Sequence, residues 1–281
     1  MTRRRLILCD VFTSVPLKGN GLAVVLEPNG LSTRDMQDLA AWINQAETAF
    51  IGTPTDGTAD YKLRIFTPNR ELSFAGHPTL GSCAAWLKAG GKPRADGVVR
   101  QECGIGIVEI DISGDFPAFV APPTKSASLP PGGLAAIVEA LGIDRAAVRA
   151  SAQLDNGPVW QVLELARAED VLAVDAARVR DLGSAAIGLI GAHPEGSDCQ
   201  YEIRMLSATA SHNEDPVTGS LIAAVAMWFA DKGRLRSPVT VGQGTKLGRL
   251  GRAHILPDPN RQGRILIGGH TRFISDGTVE L

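Results

Sequence analysis

The segments "RLILCDVFT" and "GLAVVLEP" alternate or run apolar between turn residues, as strands do. In "STRDMQDLAAWINQAE", by contrast, Met36, Leu39, Ala40 and Ile43 recur at helical spacing behind a Ser or Thr N-cap, which predicts a helix over about 33–45. Strands follow at "TAFIG" and "YKLRIFT", then a helix over about 79–89 stopped by Gly90-Gly91, then a Gly-interrupted strand pair in "GVVRQECGIGIVEIDISG". Residues 121–133, "APPTKSASLPPGG", break every period and predict a linker. Beyond it the pattern gives a helix at "LAAIVEALG", strands at "NGPVWQVLEL", "AAIGLIGA" and "CQYEIRML", a helix over 219–231, and closing strands at "PVTVGQG", "RAHILP" and "RILIGG".

The order repeats. In each half a strand carrying an arginine ("LRIFT" at 63–67, "EIRML" at 202–206) leads through a polar turn to Pro-x-x-Gly-Ser and an apolar helix. The two turns lie in "FAGHPTLGSCAAW" at 74–86 and "NEDPVTGSLIAAVAMW" at 213–228, each preceded by a side chain able to transfer a proton, His77 or Asp215. A period of half the chain suits two domains related by a pseudo-twofold axis rather than a solenoid. The expected domains are 1–120 and 121–281, with a closing strand near 270–281 able to return to the first.

From Leu221 to Ala230 nearly every residue is apolar, so this helix needs enclosure all round rather than on one stripe. Each half is therefore expected to wrap its strands around one central helix. First-turn N–H groups lack intrahelical acceptors and carry partial positive charge, so two such helix starts suit an anion such as a substrate carboxylate. A purely structural alternative exists for one copy: Asp215 as N-cap with Pro216 at the first helical position. His77 is a poor N-cap, so that account does not cover the other copy.

The chain has 281 residues, 44% hydrophobic and 21% charged, with a net charge of −2, which is enough for a full core and gives no broad basic footprint for nucleic acid. No apolar run reaches the roughly 20 residues that cross a bilayer, and the expectation is a cytoplasmic protein binding neither membrane nor nucleic acid. Cys9, Cys83, Cys103 and Cys199 are far apart without a Cys-x-x-Cys pair, which indicates reduced, buried thiols rather than disulfides or a zinc site.

"GNGLAVV", "NQAETAFI", "RIFTPNRELSFAGHPTLGS", "NEDPVTGS" and "ILIGG" occur in the order and spacing of the phenazine-biosynthesis PhzF-like isomerases, which the chain resembles over essentially its whole length. The resemblance implies an α+β diaminopimelate epimerase-like fold: two similar domains, each a β-barrel-like roll around a central helix, with the active site in the cleft. Epimerase relatives of that fold use two cysteines at the starts of the central helices. Here those places are read as Ala75 beside Gly76-His77, and Asp215, so the two-thiol mechanism lacks its thiols.

The family pattern instead implies Glu47 as the proton carrier, with no cofactor and no metal. His77 and Asp215 would hold the substrate's polar groups, and Ser220 with the backbone of Gly76 and Gly219 its carboxylate. Asn20 matches the family's Gly-Asn turn, although Gly21 stands where a Pro usually follows. Gly268 and Gly269 would allow close backbone approach to the cleft or form a β-bulge. The residues alone leave Glu47 equally readable as an exposed helix C-terminal glutamate.

The expected partner is a small-molecule carboxylate, and a homodimer is kept open. Two other functions remain: an epimerase or racemase without thiols, and a non-catalytic small-ligand-binding protein. "GQGTKLG" at 242–248 has the wrong spacing for a dinucleotide loop, and "SHNEDP" lacks the Cys-x-x-Cys partner of a deaminase.

Overall fold

The computed structural model describes residues 2–258, 261 and 263–281. They form a mixed α+β chain that is mostly sheet, dividing into two compact units: Met1–Val120 with Gly268–Leu281, and Ala121–Ile267.

The first unit contains β1 (Arg3–Val11), β2 (Asn20–Leu26), α1 (Thr33–Ile43), β3 (Glu47–Gly52), β4 (Tyr61–Phe66), β5 (Glu71–Leu72), α2 (Gly76–Lys88), β6 (Val98–Cys103), β7 (Gly106–Asp111) and β8 (Ala118–Val120). The second contains β9 (Lys125–Ala127), α3 (Gly133–Leu141), β10 (Val148–Asp155), β11 (Val159–Leu165), α4 (Ala168–Ala173), β12 (Ile187–Ala192), β13 (Tyr201–Leu206), β14 (Glu214–Asp215), α5 (Gly219–Asp231), β15 (Val239–Gln243) and β16 (Gly251–Pro257). After β17 (Ile265–Gly268), the last strand β18 (Thr271–Glu280) pairs antiparallel with β1 from Arg3↔Glu280 to Val11↔Thr271.

Strand pairing makes the repeat concrete. In the first unit β1–β2 is antiparallel, β2–β3 parallel, β3–β4 and β4–β5 antiparallel, β4–β6 parallel and β6–β7 antiparallel. From β10 to β16 the second unit runs through the same series. Each central helix lies between the two-residue strand and the parallel-paired strand that follows. Equivalent ion pairs brace the same corner: Arg64 Nε to Glu71 Oε1 at 2.7 Å, and Arg204 Nη2 to Glu214 Oε2 at 2.6 Å.

Both central helices are enclosed. In α5 all six residues from Leu221 to Ala226 are buried, more than a full turn, and Trp228 and Phe229 are buried too. Burying a side chain of this size stabilises by about 1.5–3 kcal/mol. In α2 every residue from Gly76 to Cys83 is buried. The helix lies so close to its sheet that a Cβ on Gly81 would come within 2.6 Å of Leu22 and 2.8 Å of Val11. α1 is amphipathic instead, its Met36, Leu39 and Ala40 packing with Val25, Phe50 and Phe66, and it opens with a reciprocal Ser32–Asp35 capping box. No helix among the described residues is long and apolar enough to cross a membrane.

Four expectations need correction. α2 starts at Gly76 rather than near 79, because Pro78 falls in the first turn, where its missing N–H has no intrahelical acceptor to lose; the first helical bond is Thr79 N–H to the Ala75 carbonyl, 3.2 Å. Asp215 is not an N-cap: it lies in β14, and Thr218 holds the cap position of α5. His77 and Asp215 are therefore not equivalent positions of the repeat. Leu72 and Asp215 pair with Ile65 and Met205 in matching registers, so Asp215 corresponds to Leu72, and His77, second in its helix, corresponds to Ser220. Finally, the 121–133 stretch is not featureless, since β9 within it pairs with β10, a strand whose half-buried, mostly small and polar residues hide its period.

Candidate active site

Glu47 is the first residue of β3. The chain reaches it after α1 closes at Asn44, which takes a left-handed φ of 56° and returns its N–H to the Ala40 carbonyl at 3.0 Å. Glu47 is thus not a helical residue, and the helix-terminal reading is set aside: its side chain is only 16% exposed, with Oε2 3.3 Å from Nε2 of His77.

His77 reaches this position from the first turn of α2 and is buried. Its Nδ1 lies 3.5 Å from Nδ2 of Asn20, the buried first residue of β2. Asn20 is held by the preceding turn: both oxygens of buried Asp10 accept from the Gly19 N–H at 3.0 Å. A Cβ on Gly19 would come within 2.2 Å of the Val11 carbonyl, which excludes any side chain there. The space a side chain at Gly21 would enter holds Gln45, whose Oε1 would be 2.6 Å from that Cβ. The first unit thus gathers Asn20, Glu47, Gly76 and His77.

Burial pushes the His77 imidazole down from 6.5 to about 3, against an opposing contribution from a hydrogen bond with the Gly21 backbone. The ring is neutral at pH 7, so its contact with Glu47 is an imidazole–carboxyl pair rather than an ion pair. In a neutral imidazole one ring nitrogen carries a proton and the other can accept one. The depressed value also links to stability. Between about pH 6.5 and about 3 the unfolded chain binds a proton here that the native ring does not, so stability is lost as pH falls through that window. The expected loss is on the order of 1 kcal/mol per pH unit, absent from a His77→Gln variant. Urea unfolding from pH 7 to pH 4 checks this, and parallel curves for the two proteins would contradict it.

In the second unit Thr218 Oγ1 donates to Asp215 Oδ2. Buried Gln243, at the end of β15, fixes the turn between them. Its Nε2 donates to the Asp215 carbonyl and to Thr218 Oγ1, each at 3.0 Å, and its Oε1 accepts from the Thr218 N–H at 3.0 Å. Gly219 and Ser220 open α5, and the Ser220 carbonyl accepts from Asn156 Nδ2 at 2.8 Å. The sequence gives no sign of this role for Gln243, since "PVTVGQG" reads as a strand and "GQGTKLG" fails as a dinucleotide loop. The repeat offers no matching signal: strand register pairs Gln101 with Tyr61 and Val241 with Tyr201, so Gln101, which donates from Nε2 to Thr79 Oγ1 at 3.1 Å, corresponds to Val241.

Gly268 and Gly269 are explained by packing within the first unit. A Cβ on Gly268 would lie 2.6 Å from the Phe116 ring, and the Gly269 N–H bonds the Pro117 carbonyl at 3.3 Å. The bulge on this edge is elsewhere: the β1–β18 register steps from Leu8↔Ser275 to Cys9↔Phe273, skipping Ile274.

All four cysteines are free and buried. Burial pushes Cys9 and Cys83 up to about 12 and raises Cys103 and Cys199 as well. A thiol reacts as its thiolate, so none is activated for proton transfer near neutrality. Brief iodoacetamide treatment of the native protein at pH 7 is therefore expected to leave activity intact. Complete inactivation prevented by substrate would contradict this and restore a thiol mechanism.

Two repeats of one sheet order around enclosed helices define a diaminopimelate epimerase-like fold, with a buried imidazole–carboxyl contact at one helix start. The phenazine biosynthesis-like protein family model matches residues 9–277, and the chain belongs to that family as an isomerase. It is 33% identical over 294 residues to antisense-enhancing sequence 1 of Schizosaccharomyces pombe, covering 99% of each chain. It is 30% identical over 253 residues to trans-2,3-dihydro-3-hydroxyanthranilate isomerase of Pseudomonas fluorescens, covering 86% of each. The fold matches that of a Bacillus anthracis phenazine biosynthesis protein of the PhzF family with a TM-score of 0.84 at 21% identity, covering all of both chains.

Proposed function

We propose that the protein isomerises a small carboxylate by moving a proton between two of its carbons, without a cofactor, in a cleft between the two units. Glu47 takes the proton from one carbon and returns it to another. His77 holds the substrate against Glu47, and Asp215 does the same from the second unit. The carboxylate is bound at the helix starts by Ser220 and the backbone of Gly76 and Gly219, whose first-turn N–H groups suit an anion. The observation that carries this reading is the Glu47–His77 pair, a largely buried carboxyl 3.3 Å from a neutral imidazole. A carboxyl so placed can act first as base and then as acid. Asn20 and the Asp10–Gly19 turn position the imidazole, while Gln243 and Thr218 orient the Asp215 carboxylate.

The first compound to test is trans-2,3-dihydro-3-hydroxyanthranilate, the substrate named for the Pseudomonas fluorescens relative. The proposal expects a product with a shifted double bond, read by NMR. An inverted stereocentre with the double bond in place would make the protein an epimerase, and tight binding without change would make it a binder.

A further inference from the structure

A second cluster of chemically capable side chains lies wholly in the second unit and plays no part in the proposed reaction. His193 and Cys199 stand in the connection between β12 and β13, and Glu202 on β13 itself. The His193, Cys199 and Glu202 donor atoms all lie within 4.8 Å of one another, and His193 Nε2 is 3.1 Å from Glu202 Oε2. Glu202 is 1% exposed and Cys199 4%. The second carboxylate oxygen, Oε1 of Glu202, is buried and makes no hydrogen bond among the described residues.

The sheet keeps space for this cluster. Glu202, Gly242 and Arg252 are direct neighbours across β13, β15 and β16. A Cβ on Gly242 would sit 2.9 Å from Glu202 Oε2, 3.0 Å from Cys199 Sγ and 3.2 Å from Arg252 Nη1. The strand therefore leaves bare the point where three polar groups meet.

We propose that His193, Cys199 and Glu202 form a binding site for a divalent transition-metal ion of the zinc class. One nitrogen, one sulfur and one carboxylate oxygen are the ligand types zinc takes, and three protein ligands leave a fourth position for water. Metal–ligand bonds of about 2.0–2.1 Å to nitrogen and oxygen in a tetrahedron put those two atoms roughly 3.3 Å apart, close to the observed 3.1 Å. The same geometry puts sulfur roughly 3.5 Å from each, so closure from the present 4.8 Å limit needs at most about 1.3 Å of movement. Binding breaks the Cys199 S–H bond, forms a metal–sulfur bond and releases the thiol proton to solvent, while His193 binds through Nε2 with its proton on Nδ1. The spacing His-x5-Cys-x2-Glu escapes a search for paired cysteines, because its donors come from one loop and the strand it enters.

The test is titration of the full chain, freed of metal by chelator and dialysis, with Zn²⁺ by calorimetry and with Co²⁺ by absorption. One equivalent should bind, and Co²⁺ should give a near-ultraviolet thiolate charge-transfer band with visible bands of a four-coordinate ion. Cys199→Ser should abolish the charge-transfer band, and His193→Gln should weaken Zn²⁺ binding by roughly tenfold or more. His193 is 20% exposed at its side chain, so that variant keeps the test decisive if Cys199→Ser fails to fold. Absence of stoichiometric binding, or binding unchanged by His193→Gln, would overturn the proposal and leave a hydrogen-bonded His–Glu pair beside an inert thiol. The readouts do not depend on turnover, so either result is independent of the reaction assigned to Glu47.

Discussion

Glu47→Gln is expected to lower turnover by roughly 10²–10⁴-fold, the usual contribution of a general acid–base group, with thermal stability little changed. Glutamine keeps the shape and the hydrogen-bonding capacity beside His77 Nε2 but cannot carry a proton to or from carbon. His77→Ala should act differently, raising KM as well as lowering kcat, because the buried ring is proposed to position the substrate rather than exchange its proton. Near-normal turnover in Glu47→Gln on a verified substrate would refute the mechanism while leaving the fold intact.

Glu214→Ala is expected to cost about 3–5 kcal/mol in urea unfolding, the range for breaking a buried ion pair from one side. Both side chains of the Arg204–Glu214 pair are 1% exposed, with Glu214 accepting from Nε and Nη2. The carbonyls of Val171 and Val174 accept from Nη1 at 2.9 and 2.6 Å, so the guanidinium is held in place and would be left as an unpaired buried charge. The corresponding Glu71→Ala should cost no more than about 1 kcal/mol, because the Arg64–Glu71 pair is 27% and 39% exposed and screened by solvent. Equal losses in the two variants would contradict this difference between the repeats.

The apolar pattern was enough to find α5 and α1, because a helix enclosed all round writes an unbroken apolar run from Leu221 to Ala230, and the half-buried α1 writes Met36, Leu39 and Ala40 on one stripe. It missed where α2 begins, since Pro78 reads as a stop unless the first turn's lack of acceptors is considered. It also paired His77 with Asp215 by motif spacing, whereas strand register pairs His77 with Ser220; the equal five-position steps from Glu71 to Gly76 and from Glu214 to Gly219 set the true frame. Glu47 and Asn20 were legible only through family resemblance, because nothing local distinguishes a strand-opening glutamate from a helix-closing one. Gln243 was illegible because a buried amide that ties down a turn has no periodic signature.

The most direct test of Glu47 as the proton carrier is a single-turnover reaction in D2O followed by NMR. The wild-type protein should shift the double bond and deliver hydrogen to the carbon that gains the proton, as deuterium to the extent that Glu47 exchanges with solvent before returning it. Glu47→Gln, with substrate still bound, should place none there on the same timescale. Deuterium appearing at that carbon at the wild-type rate in Glu47→Gln would show that another group moves the proton.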